Sequence, residues 1–84
     1  MRILLIEDNT GIISGLKYAL EKEGYEFFSC LTCAEAREFL LVNKVVRPDL
    51  ILLDITLSDG NGFHLYENSI KPLKIPVIFL TASE

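Results

Sequence analysis

Residues 50–54 read LILLD, four apolar side chains followed at once by an aspartate, and residues 3–8 read ILLIED, four apolar side chains followed by two acids. Short apolar runs without polar alternation are typical of parallel strands that are covered on both faces. The two stretches are therefore predicted to be buried strands, each of which ends in carboxylates.

Helical periodicity alternates with strand-like runs along the rest of the chain. The predicted strands cover 2–6, 25–31, 50–53 and 77–80. A helix that Asn9 or Thr10 caps and Gly24 ends follows the first strand, and a helix after a Thr32-x-x-Glu35 capping box follows the second. A less regular helix over 63–70 follows the third strand. This alternation indicates right-handed βαβ units. The predicted fold class is α/β, a flavodoxin-like doubly wound parallel sheet with strand order 2-1-3-4, incomplete at about four strands and three helices.

Size and charge exclude several classes of protein. A chain of 84 residues, half of them hydrophobic, is long enough for one small domain. The longest apolar runs have four residues, far short of a membrane span, and Glu7 and Asp8 end the first run before it can act as a signal peptide. A net charge of −4 with scattered basic residues argues against direct binding to nucleic acid. We expect a cytoplasmic protein.

Cys30 and Cys33 form a C-x-x-C motif, which is half of a redox or metal motif. A zinc site is not expected, because His64 is the only histidine and has no partner at ligand spacing. A thioredoxin-like role stays open, because Cys33 falls at a predicted helix start, which would lower the pKa of its thiol. The alternative is two small, partly buried residues that flank a turn.

Three carboxylates are predicted to meet at one edge of the sheet. In the expected strand order the first and third strands are neighbours, so Glu7 and Asp8 leave one strand beside Asp54 at the end of the other. Like charges this close cost stability unless a cation binds between them. Oxygen ligands and the absence of Cys or His favour Mg²⁺ over zinc.

Asp54 is the candidate nucleophile. A carboxylate can accept a phosphoryl group as an acyl phosphate, and a metal ion beside it screens the repulsion between two anions. For Asp49, Asp59 and Glu35 the simpler interpretation holds, namely a helix cap or a solvated loop residue.

Three spaced motifs resemble the receiver domains of two-component response regulators: residues 3–9 (ILLIEDN) resemble their opening, residues 54–62 (DITLSDGNG) their phosphoacceptor loop, and residues 76–82 (PVIFLTA) their fourth strand. The resemblance covers the whole chain in order, so 1–84 is expected to be the N-terminal portion of a receiver domain. It implies a non-enzymatic signalling domain that a sensor histidine kinase phosphorylates on Asp54.

The resemblance also implies roles for other residues. Glu7 and Asp8 would hold Mg²⁺ together with Asp54 and the backbone carbonyl of Thr56. Thr81 would hydrogen-bond the phosphoryl group and act in the conformational switch. Ala82 would face the phosphate through its backbone N–H. A C-terminal DNA-binding output domain, absent from this chain, is a possible further part of such a protein.

Two departures from the family pattern stand out. Ser58 occupies a position where the family usually has proline, which removes no chemical group. The chain also stops at Glu84, before the family's fifth strand and its phosphate-binding lysine, and neither Lys71 nor Lys74 can take that role because both precede the fourth strand. A homodimer through an exposed edge of the strand over 77–80 is therefore expected.

Other functions remain as alternatives. The chain could be a truncated receiver that only folds and oligomerises, without phosphotransfer. A phosphatase of the haloacid dehalogenase type is less well supported, because it needs a second acid two residues after its nucleophile and Thr56 stands there. A flavin-binding module would place an anionic phosphate against three acids, which would repel it.

Overall fold

The computed structural model describes residues 1–80. Its elements are β1 (Arg2–Ile6), α1 (Thr10–Lys22), β2 (Glu26–Cys30), α2 (Cys33–Arg37) continued by a π-helical segment (Glu38–Asn43), β3 (Leu50–Asp54), β4 (Thr56–Leu57), β5 (Gly60–Asn61), α3 (Gly62–Leu65) continued by a π-helical segment (Tyr66–Ile70), a 3₁₀ turn (Lys71–Leu73) and β6 (Val77–Leu80). Within these residues, no helix combines the length and the apolar character that crossing a membrane requires.

The main sheet is parallel, and within residues 1–80 it has four strands in the order β2-β1-β3-β6. Because β6 is the fourth strand predicted from the sequence, the predicted order 2-1-3-4 and the α/β class are confirmed. Ile6 of β1 lies level with Leu53 of β3, and Asp54 lies level with Leu80 of β6. The carboxyl ends of these three strands therefore meet at one edge.

The hydrophobic core lies on the face of the sheet that α2 and α3 cover. Alternate residues of the strands point to this face, as the pleat of a strand requires. Phe79 of β6 packs against the rings of Phe63 and Tyr66, with centroid distances of 4.7 and 5.6 Å. The buried members of the core are Leu4, Ile6, Cys30, Cys33, Ala36, Leu40, Ile51, Leu53, Leu57, Leu65, Ile70 and Ile75.

The face that α1 covers is packed less densely. No residue of α1, which lies wholly within the described part of the chain, is buried. Ile12 of α1 is 44% exposed and Ile78 of β6 is 52% exposed. Leu52 and Leu80, which alternation places on this same face, are only half-buried.

Local structure departs from the sequence-based expectation in three places. Residues 58–62 were expected to form a loop, but Thr56 and Leu57 pair with Asn61 and Gly60 as a short antiparallel hairpin. The second and third helices each change from α to π geometry after one turn. In the capping box, Thr32 accepts from the backbone N–H of Glu35 as expected, whereas the Glu35 carboxylate accepts from Leu31.

Candidate functional site

Strand register brings the three predicted carboxylates together. Glu7 follows Ile6 and therefore lies level with Asp54, and alternation points both side chains to the face that α1 covers. Carboxylate oxygens of Glu7, Asp8 and Asp54 lie within 4.8 Å of one another. The expectation that these acids meet at the carboxyl edge of the sheet matches this geometry.

The acids line one open cleft of about 570 Å³. Glu7 is 4% exposed and Asp54 is 5% exposed, whereas Asp8 is exposed to solvent. Thr56, whose backbone carbonyl is predicted from the sequence to be a metal ligand, also lines this cleft. The remaining lining residues are Asn9, Ile12, Leu16 and Leu80.

Glu7 is buried next to like charges. Burial raises the pKa of Glu7 above its ordinary value of 4.5, and the carboxylates of Asp54 and Asp8 raise it further. One interaction lowers the pKa of Glu7: the backbone N–H of Asn9 donates to its Oε2 at 3.0 Å. Asn9 also caps α1 through its side chain, which accepts from the N–H of Ile12 at 3.0 Å.

The donor set fits a hard divalent cation. It offers carboxylate oxygens from two buried side chains and one exposed side chain, all within reach of one ion. Mg²⁺ takes such ligands and retains several waters, for which the open cleft has room. A cation would also relieve the repulsion that raises the pKa of Glu7.

The segment after Asp54 packs against the backbone of that residue. The N–H of Thr56 donates to Oδ1 of Asp54 at 3.4 Å, and the N–H of Gly62 donates to the carbonyl of Ile55 at 2.6 Å. A Cβ at position 62 would overlap the carbonyl oxygen of Asp54. The sequence places Gly62 in the loop after Asp54 but does not show that this position must lack a Cβ. The only sign of that requirement in the sequence is the glycine itself.

Thr81 and Ala82, which were predicted to contact the phosphoryl group, lie outside the described residues. Their roles stay predictions from the sequence.

The expectation that a helix start lowers the pKa of the Cys33 thiol is wrong. Cys33 does begin α2, but it is buried, and that burial raises the pKa of its thiol. Asp59 raises it further through its charge and a hydrogen bond. Cys30 is also buried, with a pKa raised to about 11. Both cysteines are free and belong to the hydrophobic core, which fits the alternative of small packed residues.

Comparison with known proteins identifies the family. Residues 3–84 match the model of the response regulator receiver domain. The chain belongs to the response regulator receiver domain family. The receiver domain of HemR from Leptospira biflexa, solved in its non-phosphorylated form, aligns with 98% of the chain at 40% identity and a TM-score of 0.82, and the match covers 64% of that chain.

Two further relatives extend the comparison. The transcriptional regulatory protein YvrH of Bacillus subtilis is 36% identical over 80 residues, which is 95% of this receiver chain and 33% of YvrH. The response regulator MaeR, solved with beryllium trifluoride bound, aligns with all of the chain at 32% identity and a TM-score of 0.84, and the match covers 69% of MaeR. The receiver chain thus spans about a third of the length of YvrH.

Proposed function

We propose that this receiver domain accepts a phosphoryl group on Asp54 in the presence of Mg²⁺ and thereby switches a two-component signalling pathway. The observation that carries this proposal is the group of three carboxylates within 4.8 Å at the carboxyl ends of β1 and β3. Such a group costs stability unless it holds a cation, so a binding role explains it better than a structural one.

Each residue of the site has a proposed role. Glu7, Asp8, Asp54 and the backbone carbonyl of Thr56 would hold the metal ion. Bound Mg²⁺ would screen the repulsion between the Asp54 carboxylate and the oxygens of the incoming phosphoryl group. Thr81 would hydrogen-bond that group and act in the switch, and Ala82 would contact it through its backbone N–H.

Phosphoryl transfer in this proposal is a displacement at phosphorus. A carboxylate oxygen of Asp54 forms a bond to the phosphorus atom while the bond from phosphorus to the donor nitrogen or oxygen breaks, which leaves an acyl phosphate. The N–H of Thr56, which donates to Oδ1 of Asp54, orients the carboxylate. The cleft is open, so a donor can approach the buried acid.

The relatives support the choice of partners. YvrH and the similar protein BasR of Escherichia coli are named transcriptional regulatory proteins. By analogy, we assign a sensor histidine kinase as the phosphoryl donor and a cytoplasmic location. In a longer protein, a DNA-binding output domain would receive the signal. The receiver itself would be a non-enzymatic signalling domain, and MaeR with bound beryllium trifluoride is consistent with a phosphoryl-binding role for the fold.

Labelling with a small phosphodonor tests the proposal. Incubation with acetyl phosphate and Mg²⁺ should add one phosphoryl group, detected by mass spectrometry as a hydroxylamine-sensitive acyl phosphate. Asp54→Asn should abolish the label, whereas Glu21→Gln, which removes an exposed acid of α1, should keep it. A label that survives Asp54→Asn would place the acceptor elsewhere.

We further propose that two copies associate through β6. Within the described residues, β6 pairs with β3 on one side and with no strand on the other. Ile78 at the middle of β6 is 52% exposed, and edges of this kind are templates for pairing with another chain. Like strands across a two-fold axis would pair antiparallel. If labelling fails while association persists, the alternative of an oligomerisation module without phosphotransfer is supported.

A further inference from the structure

A second cavity lies at the opposite end of the sheet from the carboxylates. Its volume is about 240 Å³, and its apolar wall consists of Leu40, Val46, Pro48, Leu73 and Ile75. Pro48 precedes β3 and Ile75 precedes β6, so the cavity is at the amino ends of these strands. Asp54 is at the carboxyl end of β3, six residues beyond Pro48, which corresponds to about 20 Å along an extended strand. The two sites are therefore separate.

The wall of this cavity is part of the folded core, and the cavity opens to solvent. Leu40 and Ile75 are 7% and 5% exposed, and Pro48 is almost fully buried. Ligand pockets in proteins have volumes of about 300–1,000 Å³, so a cavity of this size suits only a small ligand. The wall offers that ligand an apolar surface.

Two positively charged side chains line the cavity next to its apolar wall. Lys44 and Arg47 also line the cavity, and among the described residues no carboxylate does. Neither cation belongs to any of the ion pairs found within residues 1–80. Both side chains are exposed to solvent. Nη2 of Arg47 donates to the carbonyl of Leu73 at 2.9 Å, and the guanidinium has further N–H groups able to donate. Both charged residues that line the cavity are therefore positive, although the net charge of the chain is −4.

Helix ends account for only part of this arrangement. Lys44 follows the second helix and has a left-handed backbone with φ of 53°, and a lysine there also interacts favourably with the helix dipole. This explains a basic residue at position 44. Arg47 likewise donates to the carbonyl of Leu73, the last residue of the 3₁₀ turn, but neither helix end requires the apolar wall between the two cations.

We infer that this cavity binds a small apolar carboxylate, with the carboxylate group between Lys44 and Arg47 and the hydrocarbon part against Leu40, Pro48 and Ile75. The guanidinium can donate two parallel hydrogen bonds to a carboxylate, and the ammonium adds a second charge. Burial of the hydrocarbon part supplies the remaining affinity. This binding does not depend on phosphorylation of Asp54.

Titration of the full chain with hexanoate tests the inference, with hexanol and hexylammonium as matched ligands of similar size. Followed by two-dimensional amide NMR, hexanoate should shift signals from residues 44–47 and 73–75 and leave those of the acidic cleft in place. Hexanoate should bind about tenfold more tightly than hexanol, and hexylammonium should not bind measurably.

Substitutions separate the contribution of charge from that of the apolar wall. Lys44→Gln should weaken hexanoate binding about fivefold without changing hexanol binding, whereas Lys22→Gln on α1 should change neither. Val46→Phe should fill the cavity and abolish binding of both ligands in a chain whose spectrum remains dispersed. Arg47→Lys keeps the charge but loses the paired donors, and should weaken hexanoate binding.

Three results would overturn the inference. The first is that hexanoate and hexanol bind with equal affinity. The second is that the amide NMR signals that shift belong only to residues outside 44–47 and 73–75. The third is that Lys44→Gln leaves the hexanoate affinity unchanged. Because labelling of Asp54 is measured separately, failure here leaves the proposed phosphoacceptor function untouched.

Discussion

The carboxylate of Asp59 accepts a hydrogen bond from the backbone N–H of Cys33, with Oδ1 2.8 Å from the nitrogen. Its second oxygen accepts from the N–H of Ala34 at 3.1 Å. Asp59 belongs to the hairpin turn that follows Asp54, and Cys33 begins α2. The Asp59 side chain therefore joins the turn after Asp54 to the amino end of α2, beside the cap that Thr32 provides.

Replacement of Asp59 should lower stability in a pH-dependent way. Hydrogen bonds from Cys33 and Ala34 lower the pKa of Asp59 below its ordinary value of 3.8. The ionised form is therefore favoured in the folded chain, and its stabilisation is fully present above the unfolded pKa and lost as the pH falls through the folded pKa. Asp59→Ala should lower Tm at pH 7, and the difference from the parent should shrink below about pH 4.

Asp59→Asn is the matched variant for this experiment. Its amide keeps one acceptor oxygen for α2 but carries no charge, so its Tm should lie between those of the parent and Asp59→Ala and should vary less with pH. Thermal unfolding followed by circular dichroism from pH 3 to pH 7 makes the comparison. A constant difference between the parent and Asp59→Ala over that range would argue against this account.

Asp8→Asn should weaken Mg²⁺ binding about tenfold, because it removes one of three charged oxygen ligands from a weak site. Isothermal titration calorimetry measures the affinity, and Glu21→Gln serves as a control with the same change in net charge. Without Mg²⁺, Asp8→Asn should not lower Tm, since it removes a like charge near Glu7. Unchanged Mg²⁺ affinity would contradict the proposed ligand set.

Two glycine-to-alanine substitutions should have opposite effects. Gly62→Ala should cost about 1–3 kcal/mol, because the new Cβ overlaps the Asp54 carbonyl and forces the backbone to move. Gly15→Ala on α1, where no atom lies within 4 Å of the added Cβ, should stabilise by about 0.5–1 kcal/mol. Urea unfolding measures both, and a neutral Gly62→Ala would show that the loop has room to adjust.

Ile78→Lys should reduce self-association about tenfold, because it places a charge on the exposed apolar face of β6, beside the edge proposed to pair with a second copy. Val45→Lys is the control, since Val45 is 85% exposed and lies far along the chain from β6. Sedimentation velocity at several concentrations distinguishes the outcomes. A parent chain that stays monomeric at high concentration would rule out the proposed dimer.

The strands and the position of the acids could be predicted from the sequence because both follow from one pattern, a short apolar run that ends in carboxylates. The runs at 3–6 and 50–53 have only apolar residues, which is typical of strands in a parallel sheet, and the acids that follow then lie at its carboxyl edge. The family motifs then supplied the chemistry that is proposed for Asp54.

Other features depend on contacts between distant segments. The helical period of 36–43 is compatible with both α and π geometry, so the change at Glu38 leaves no mark in the sequence. The pKa of Cys33 was misjudged because the effect of a helix start is local, whereas burial against the core depends on the whole fold. Asp59 lies 26 residues from Cys33, so periodicity could not connect the two.

The parallel register of β1, β3 and β6 makes the site tolerant of some genetic changes and intolerant of others. Exchanges among apolar residues within 50–53 alter packing but leave the direction of the Asp54 side chain unchanged. Insertion or deletion of one residue in β3 would turn Asp54 to the opposite face of the sheet, among the apolar side chains of the core, and away from Glu7. Evolution of this domain is therefore freer in the composition of its strands than in their length.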